Sequence, residues 1–212
     1  SSVNCQVGDC MSFDGGDYVG LGDSLEDVFV GEDQQFGFSV WVKPAAAMTA
    51  NFIIAKLGDT SCSENQREYF LRLGTGSFPE FLWYGNLANT SYRGVRASTT
   101  AITNTTHWYH VAMTYDGTID TNNGLDRVNI FIDGVLQAKT LSFNLGTLLG
   151  IQDGTAHLGL GKALNSSGAN CGTGAYFNGS IDEVQIYSRT LGGPATNCVA
   201  DDSSQVCKLY AD

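Results

Sequence analysis

Asn178-Gly179-Ser180-Ile181-Asp182-Glu183-Val184-Gln185-Ile186-Tyr187-Ser188-Arg189-Thr190-Leu191 alternates apolar and polar residues from Ile181 onward and then runs into a basic residue and a turn. Successive side chains on a strand point to opposite faces, so this stretch reads as a half-buried β-strand near the end of the chain. The same style occurs at Met11-Ser12-Phe13-Asp14-Gly15-Gly16-Asp17-Tyr18-Val19, and at Trp108-Tyr109-His110-Val111-Ala112-Met113-Thr114-Tyr115-Asp116-Gly117, followed by Val128-Asn129-Ile130-Phe131-Ile132-Asp133-Gly134.

Working outward, short period-two runs fill the chain. Phe36, Phe38, Val40 and Val42 share one face, and Pro44 closes that strand because it cannot donate to a ladder. Further strands are expected at 52–57, 67–73 (Tyr69, Leu71 and Leu73 on one face), 79–84, 91–95, 107–115, 127–132, 155–160 and 180–187. Gly85-Asn86 and Asp133-Gly134 read as turns between strands. A short helical turn is expected over Asp23–Phe29, capped by Ser24. There is no internal repeat and no linker-like break. The expectation is one all-β domain over 1–212, two packed antiparallel sheets, with a core at about 10–191. A tail of weak strand character, 192–212, follows.

Length and composition fit that reading. The chain has 212 residues, 42% of them hydrophobic, and its 26 glycines are spread among turns. A formal charge of −11 with eleven scattered Lys and Arg argues against nucleic acid. No apolar run approaches the roughly 20 residues needed to span a bilayer, and the first residues lack the pattern of a signal peptide. Neutral sugars, or anionic ones bridged by calcium, are the easier partners of such an acidic surface. Six cysteines imply an oxidising, extracellular setting. Of about 15 connectivities, proximity favours Cys5–Cys10, Cys198–Cys207 and Cys62–Cys171. Zinc is a poor alternative, since no C-x-x-C occurs. Asn89, Asn104, Asn165 and Asn178 head glycosylation sequons.

The order and spacing of the three quoted segments resemble the laminin-G-like, concanavalin A-like jelly-roll family over about residues 10–191. The resemblance implies a jelly roll whose first and last strands lie side by side. It also implies binding of glycans or proteins through rim loops, often with calcium, and usually no catalysis. On that footing Asp14 and Asp182, with Asp17, are the candidate calcium ligands, because calcium takes six to eight oxygens from carboxylates, carbonyls and water. The acidic loop Asp116–Asp126 offers Asp116, Asp120 and Asp126 as a second candidate, although it lacks the glycine and distal Glu of an EF-hand and reads more simply as an extended hairpin loop.

Catalytic groups are scarce. His110 alternates within a strand, His107 and His157 sit near strand starts, and no serine occupies a nucleophile elbow. Glycoside hydrolysis on this fold needs two carboxylates on one strand face, which neither Glu26-Asp27, Glu32-Asp33 nor Asp182-Glu183 supplies. The run around Gly161-Lys162 lacks phosphate-loop spacing. Trp83, Tyr84 and Tyr92, with Asn86 and Arg93, are the candidate sugar-contact residues, since sugar C–H faces stack on aromatic rings; Trp41 and Trp108 are assigned to the fold. The expected function is a non-catalytic extracellular carbohydrate-binding or adhesion module, with calcium, in a larger secreted or cell-surface protein. A polysaccharide-degrading enzyme and a structural or protein-binding spacer are the alternatives.

Overall fold

The period-two runs form strands whose alternate side chains enter the core between two sheets, and in Gln35–Pro44, Pro79–Tyr84 and Tyr109–Asp116 nearly every position is buried on both faces. A computed structural model of the chain describes residues 5–58, 67–171, 176–192 and 205–211. In chain order the strands are β1 (Met11–Asp14), β2 (Val19–Gly20), β3 (Gln35–Pro44), β4 (Asn51–Leu57), β5 (Arg67–Leu73), β6 (Pro79–Tyr84) and β7 (Tyr92–Ala97). They continue as β8 (Tyr109–Asp116), β9 (Val128–Ile132), β10 (Val135–Leu136), β11 (Lys139–Leu145), β12 (Leu158–Leu160) and β13 (Asn178–Tyr187). Two short helices are present, α1 (Glu26–Phe29) and α2 (Gln205–Ala211).

The strands form two antiparallel sheets. The first has the order β1-β13-β3-β8-β9-β10 and the second β11-β7-β6-β5-β4-β12-β2. The first and last strands are neighbours, with Met11 opposite Ile181 and Asp14 opposite Asn178. Asp133 and Gly134 both adopt positive φ (50° and 71°), the mirror-image turn that suits a tight hairpin between β9 and β10. The inner faces meet in an aromatic core. Phe36 stacks on Tyr115 with ring centroids 4.9 Å apart, and Phe81 and Trp83 reach across from the second sheet.

The two outer faces are treated differently. On the first sheet, Ala112 and Phe131 are covered by Leu191 and by Val206 of α2. Asp182 projects from the same face and gathers the loop closed by the Cys5–Cys10 disulfide: its Oδ2 accepts the N–H groups of Gln6 and Val7, each at 3.0 Å. Both disulfide-tied ends therefore pack on the first sheet. On the second sheet a separate cluster of Ala55, Leu57, Phe70, Leu82 and Tyr84 lies behind the core. Loop residues Ala163 and Cys171 cover its β4 end.

Three expectations change. The tail contains helix α2, not strand, because Val206 and Leu209 are spaced to bury one helical face against β8 and β9. Ser24 does not cap α1; its hydroxyl donates to the Leu21 carbonyl, and Leu25, with φ of 71°, intervenes before the helix. Strand β11 is absent from the expected set even though Leu141, Phe143 and Leu145 alternate. Of the cysteine pairings, Cys5–Cys10 is formed, and Cys171 and Cys207 are disulfide-bonded; Cys62 and Cys198 lie outside the described residues.

Two buried ionisable groups set the pH response. Burial lowers His110 to about 4, from an ordinary 6.5, beside the Ser39 hydroxyl at 2.8 Å. Burial raises the Glu68 carboxyl to about 8, from an ordinary 4.5, against the opposing pull of Lys56. An unfolded chain takes up a proton at His110 that the folded one refuses, so that contribution falls as pH drops from 6.5 to 4. The folded chain keeps a proton at Glu68 that the unfolded one releases, so that contribution falls as pH rises from 4.5 to 8. The two oppose each other below pH 6.5, and above it only Glu68 acts. Denaturant titrations should show a loss of about 2 kcal/mol between pH 6.5 and 8. In Glu68→Gln the slope should vanish; a sloping profile in that variant would assign the effect elsewhere.

Candidate functional site

Register decides which of the candidate sugar-contact residues share a face. Trp83 is opposite Arg93, and Tyr84 is opposite Tyr92, in the β6–β7 pair. Neighbouring residues on a strand point oppositely, so the two pairs serve different sides of the sheet.

Trp83 and Arg93 face inward. Trp83 is 1% exposed and its Nε1 donates to the Leu149 carbonyl at 3.1 Å. Arg93 is a clamp: Nε donates to Asn123 O (3.0 Å), Nη1 to Tyr92 O (2.9 Å) and Leu145 O (2.5 Å), and Nη2 to Gly146 O (2.7 Å). Burial, then the nearby Arg127, lowers its pKa. Asn86 is spent on its own turn, bonded through both side-chain atoms to Thr90. These three are structural, because the strand pleat and the turn claim them.

Tyr84 and Tyr92 face outward together, with ring centroids 5.3 Å apart. Arg67 lies over the Tyr84 ring at 5.6 Å and donates to its hydroxyl at 3.1 Å. Phe143 extends the aromatic row, 6.1 Å from Tyr92. It arrives there through a register shift in β11 between Leu141 and Phe143, the kind of irregularity that re-aims a side chain. Gly94 makes room for it, since a Cβ there would come within 2.8 Å of the Phe143 ring and 2.7 Å of Ser142 Oγ.

A polar row runs beside the aromatic one. Arg72, Glu80 and Arg96 are direct cross-strand neighbours on β5, β6 and β7. Arg72 Nε donates to Glu80 Oε2 at 2.6 Å. Its guanidinium lies over Phe70 at 4.7 Å and Phe143 at 5.9 Å. Phe143 is 37% exposed, whereas Phe70 and Leu82 are buried beneath this layer. Tyr84 is 5% exposed beneath Arg67, so the outer face of β5–β7 offers the half-buried Tyr92 ring and the exposed Phe143 ring beside oriented guanidinium groups, a combination suited to holding a sugar by its C–H face and its oxygens. Phe143, Arg72, Glu80 and Arg96 were not among the candidates read from sequence. The alternation in β5 (Phe70 and Arg72 set against Tyr69 and Leu71) is the local signal that could have suggested part of this row.

The candidate calcium ligands are not gathered. Asp182 lies four residues beyond the partner of Asp14, roughly 13 Å along the strand at about 3.3 Å per residue. Asp182 is 3% exposed, and its oxygens accept the N–H groups of Gln6, Val7 and Glu183. Asp14 accepts from Gly16 N–H, and Asp17 accepts from Asp14 N–H. In the second loop Asp120 pairs with Arg127 at 2.5 Å, Asp126 accepts from Thr121 and Asn122, and Asp116 accepts from Thr118. Among the described residues no group of three or more His, Cys, Asp and Glu side chains is placed to hold a metal ion. These residues do not fit a calcium shell as they are arranged here. No described helix is long and apolar enough to cross a membrane.

Comparison with known proteins agrees with this architecture. The chain superposes on the CBM40 domain of the Ruminococcus gnavus IT-sialidase, with a TM-score of 0.57, 16% identity and 96% of each chain covered. That domain has also been solved bound to α2,3-sialyllactose. Domain 4 of AbnA, an extracellular GH43 arabinanase of Geobacillus stearothermophilus solved with arabinotriose, matches with a TM-score of 0.54 and 19% identity, over 98% of this chain and 79% of that one. The binding domain of botulinum neurotoxin DC, in complex with rat synaptotagmin II, matches with a TM-score of 0.54 and 14% identity, over 92% of this chain and 39% of that one. These likenesses are of fold. No curated protein matches the chain in sequence. The family model described as the concanavalin A-like lectin/glucanases superfamily matches residues 13–194, and the chain belongs to that family.

Proposed function

We propose that this chain is a non-catalytic, extracellular carbohydrate-binding module that takes its glycan on the outer face of the second sheet. The observation carrying this reading is the Tyr84–Tyr92–Phe143 row beside Arg72 and Arg96, on the sheet that α2 and the Cys5–Cys10 loop do not cover. The carbohydrate-bound CBM40 and AbnA domains, which share the fold, support it. The disulfides support an oxidising compartment. The two carboxylates of β5–β7 are both committed, Glu80 to Arg72 and the buried Glu68 to Lys56. A glycosidase requires two carboxyl groups about 5 to 9.5 Å apart across the bond it breaks. The reading needs no calcium.

The test is a glycan array followed by calorimetry on the best ligand, with and without a chelator. Tyr92→Ala should weaken binding about tenfold, the loss of one aromatic stacking contact, without lowering the melting temperature by more than a few degrees. Chelation should leave affinity unchanged. A blank array in both conditions would remove the reading; loss of binding on chelation would restore calcium to it.

A further inference from the structure

We propose that the glycan held by this face is an acidic one, and that its carboxylate or sulfate ester sits on Arg96; this rests on the reading of the face as a sugar site. The argument begins with charge along the Arg72–Glu80–Arg96 row. Glu80 is 2% exposed and its Oε2 accepts a hydrogen bond from Arg72 Nε at 2.6 Å. The single negative charge of the row is therefore used by the first arginine. Arg96 is left over. Among the described residues it forms no ion pair, and its buried Nε has no acceptor. Its guanidinium stands 6.0 Å from the centre of the Phe78 ring, with the group half-buried.

A half-buried guanidinium without a counter-charge is a place where an anion gains more than it would in water. The planar fork of Arg matches a carboxylate or a sulfate through parallel N–H···O bonds, whereas a neutral hydroxyl can satisfy it only in part. The rest of the face suits the same ligand. Arg67 and Arg72 add guanidinium N–H donors along the aromatic row. The chain as a whole carries a formal −11, so a polyanion is repelled elsewhere and directed here. The acidic composition, which favours neutral sugars or anionic ones bridged by calcium, thus leaves room for a local anion site at Arg96.

The experiment uses matched probes: polygalacturonate against its methyl ester, a sulfated galactan against neutral agarose oligosaccharides, and sialyllactose against lactose. Calorimetry at low salt should show about tenfold or tighter binding of at least one acidic member over its neutral counterpart. That preference should decline as salt is raised. Arg96→Gln should erase it, and Arg96→Lys should recover only part. The pair that responds identifies carboxylate or sulfate as the group recognised. Equal binding of acidic and neutral members, or a preference that survives Arg96→Gln, would overturn the acidic-sugar inference and leave the glycan reading standing. Failure of the wild-type chain to bind any of the panel or the array, or binding only to protein or DNA controls, would remove both. If Arg96→Gln does not fold, the arginine Nε–H signals of the wild-type chain decide by NMR. Addition of the acidic glycan should shift the Arg96 signal; an unmoved Arg96 signal would overturn the inference.

Discussion

Lys56→Met should lower the unfolding free energy by about 3 to 5 kcal/mol at pH 9, and by clearly less at pH 5. Lys56 is 1% exposed, and its Nζ lies 2.8 Å from Asp23 Oδ1, 2.9 Å from Glu68 Oε1 and 3.0 Å from Glu68 Oε2. Burial works to lower its pKa, but Glu68 and Asp23 outweigh burial and hold it above its ordinary value. The amine is the charge that makes an ionised Glu68 tolerable inside the protein. Without it, at alkaline pH, Glu68 is a buried carboxylate with no counter-charge. In acid Glu68 takes a proton, which relieves the penalty. The double variant Lys56→Met/Glu68→Leu should regain most of the loss, because a packed apolar pair costs less than half of an ion pair. Denaturant titration of the two variants at both pH values checks this. A loss that is the same at pH 5 and pH 9 would mean that packing, not charge, is what Lys56 supplies.

Arg93→Lys should cost about 3 kcal/mol or more, despite keeping the charge. The guanidinium satisfies four carbonyls, those of Tyr92, Asn123, Leu145 and Gly146, from a position 3% exposed. An ammonium on a flexible stem cannot reach all of them, and each buried acceptor left unmatched costs about 1 to 3 kcal/mol. Two of these carbonyls belong to the end of β11 and the residue after it, so the strand that presents Phe143 should loosen as well. Thermal unfolding, with amide exchange at Leu145 and Gly146, measures both effects. Had Arg93 been a sugar ligand, the substitution would spare stability and reduce only affinity, which is the outcome that would refute the clamp.

These two cases mark how far the sequence could be read. The strands with the clearest alternation (β3, β8, β9 and β13) were legible because one of their faces is buried against the other sheet. The pairing of the chain's ends followed from the family resemblance. Trp83 and Tyr84 were read as one aromatic patch, yet adjacent strand residues must serve opposite faces, and here the first enters the core. Asp14 and Asp182 were correctly placed on neighbouring strands, but their separation depends on register, which composition does not encode. The Arg72–Glu80–Arg96 row depends on register across three strands. Phe143 depends on a bulge in β11 and on the absence of a side chain at Gly94. Such features arise from contacts distant in sequence, and no local pattern announces them.

The parity of β5, β6 and β7 has a practical consequence. Phe70, Arg72, Glu80, Leu82, Tyr84, Tyr92, Gly94 and Arg96 all face outward, while their odd-numbered neighbours Tyr69, Leu71, Phe81, Trp83 and Val95 build the core. Libraries restricted to Arg72, Tyr92 and Arg96, the even positions that are not buried, would vary the outer face while leaving the packing code intact. A one-residue deletion within β6 would exchange the two sets along the rest of the strand. Evolution, or an engineer, can therefore retune this scaffold by substitution far more safely than by changing strand length.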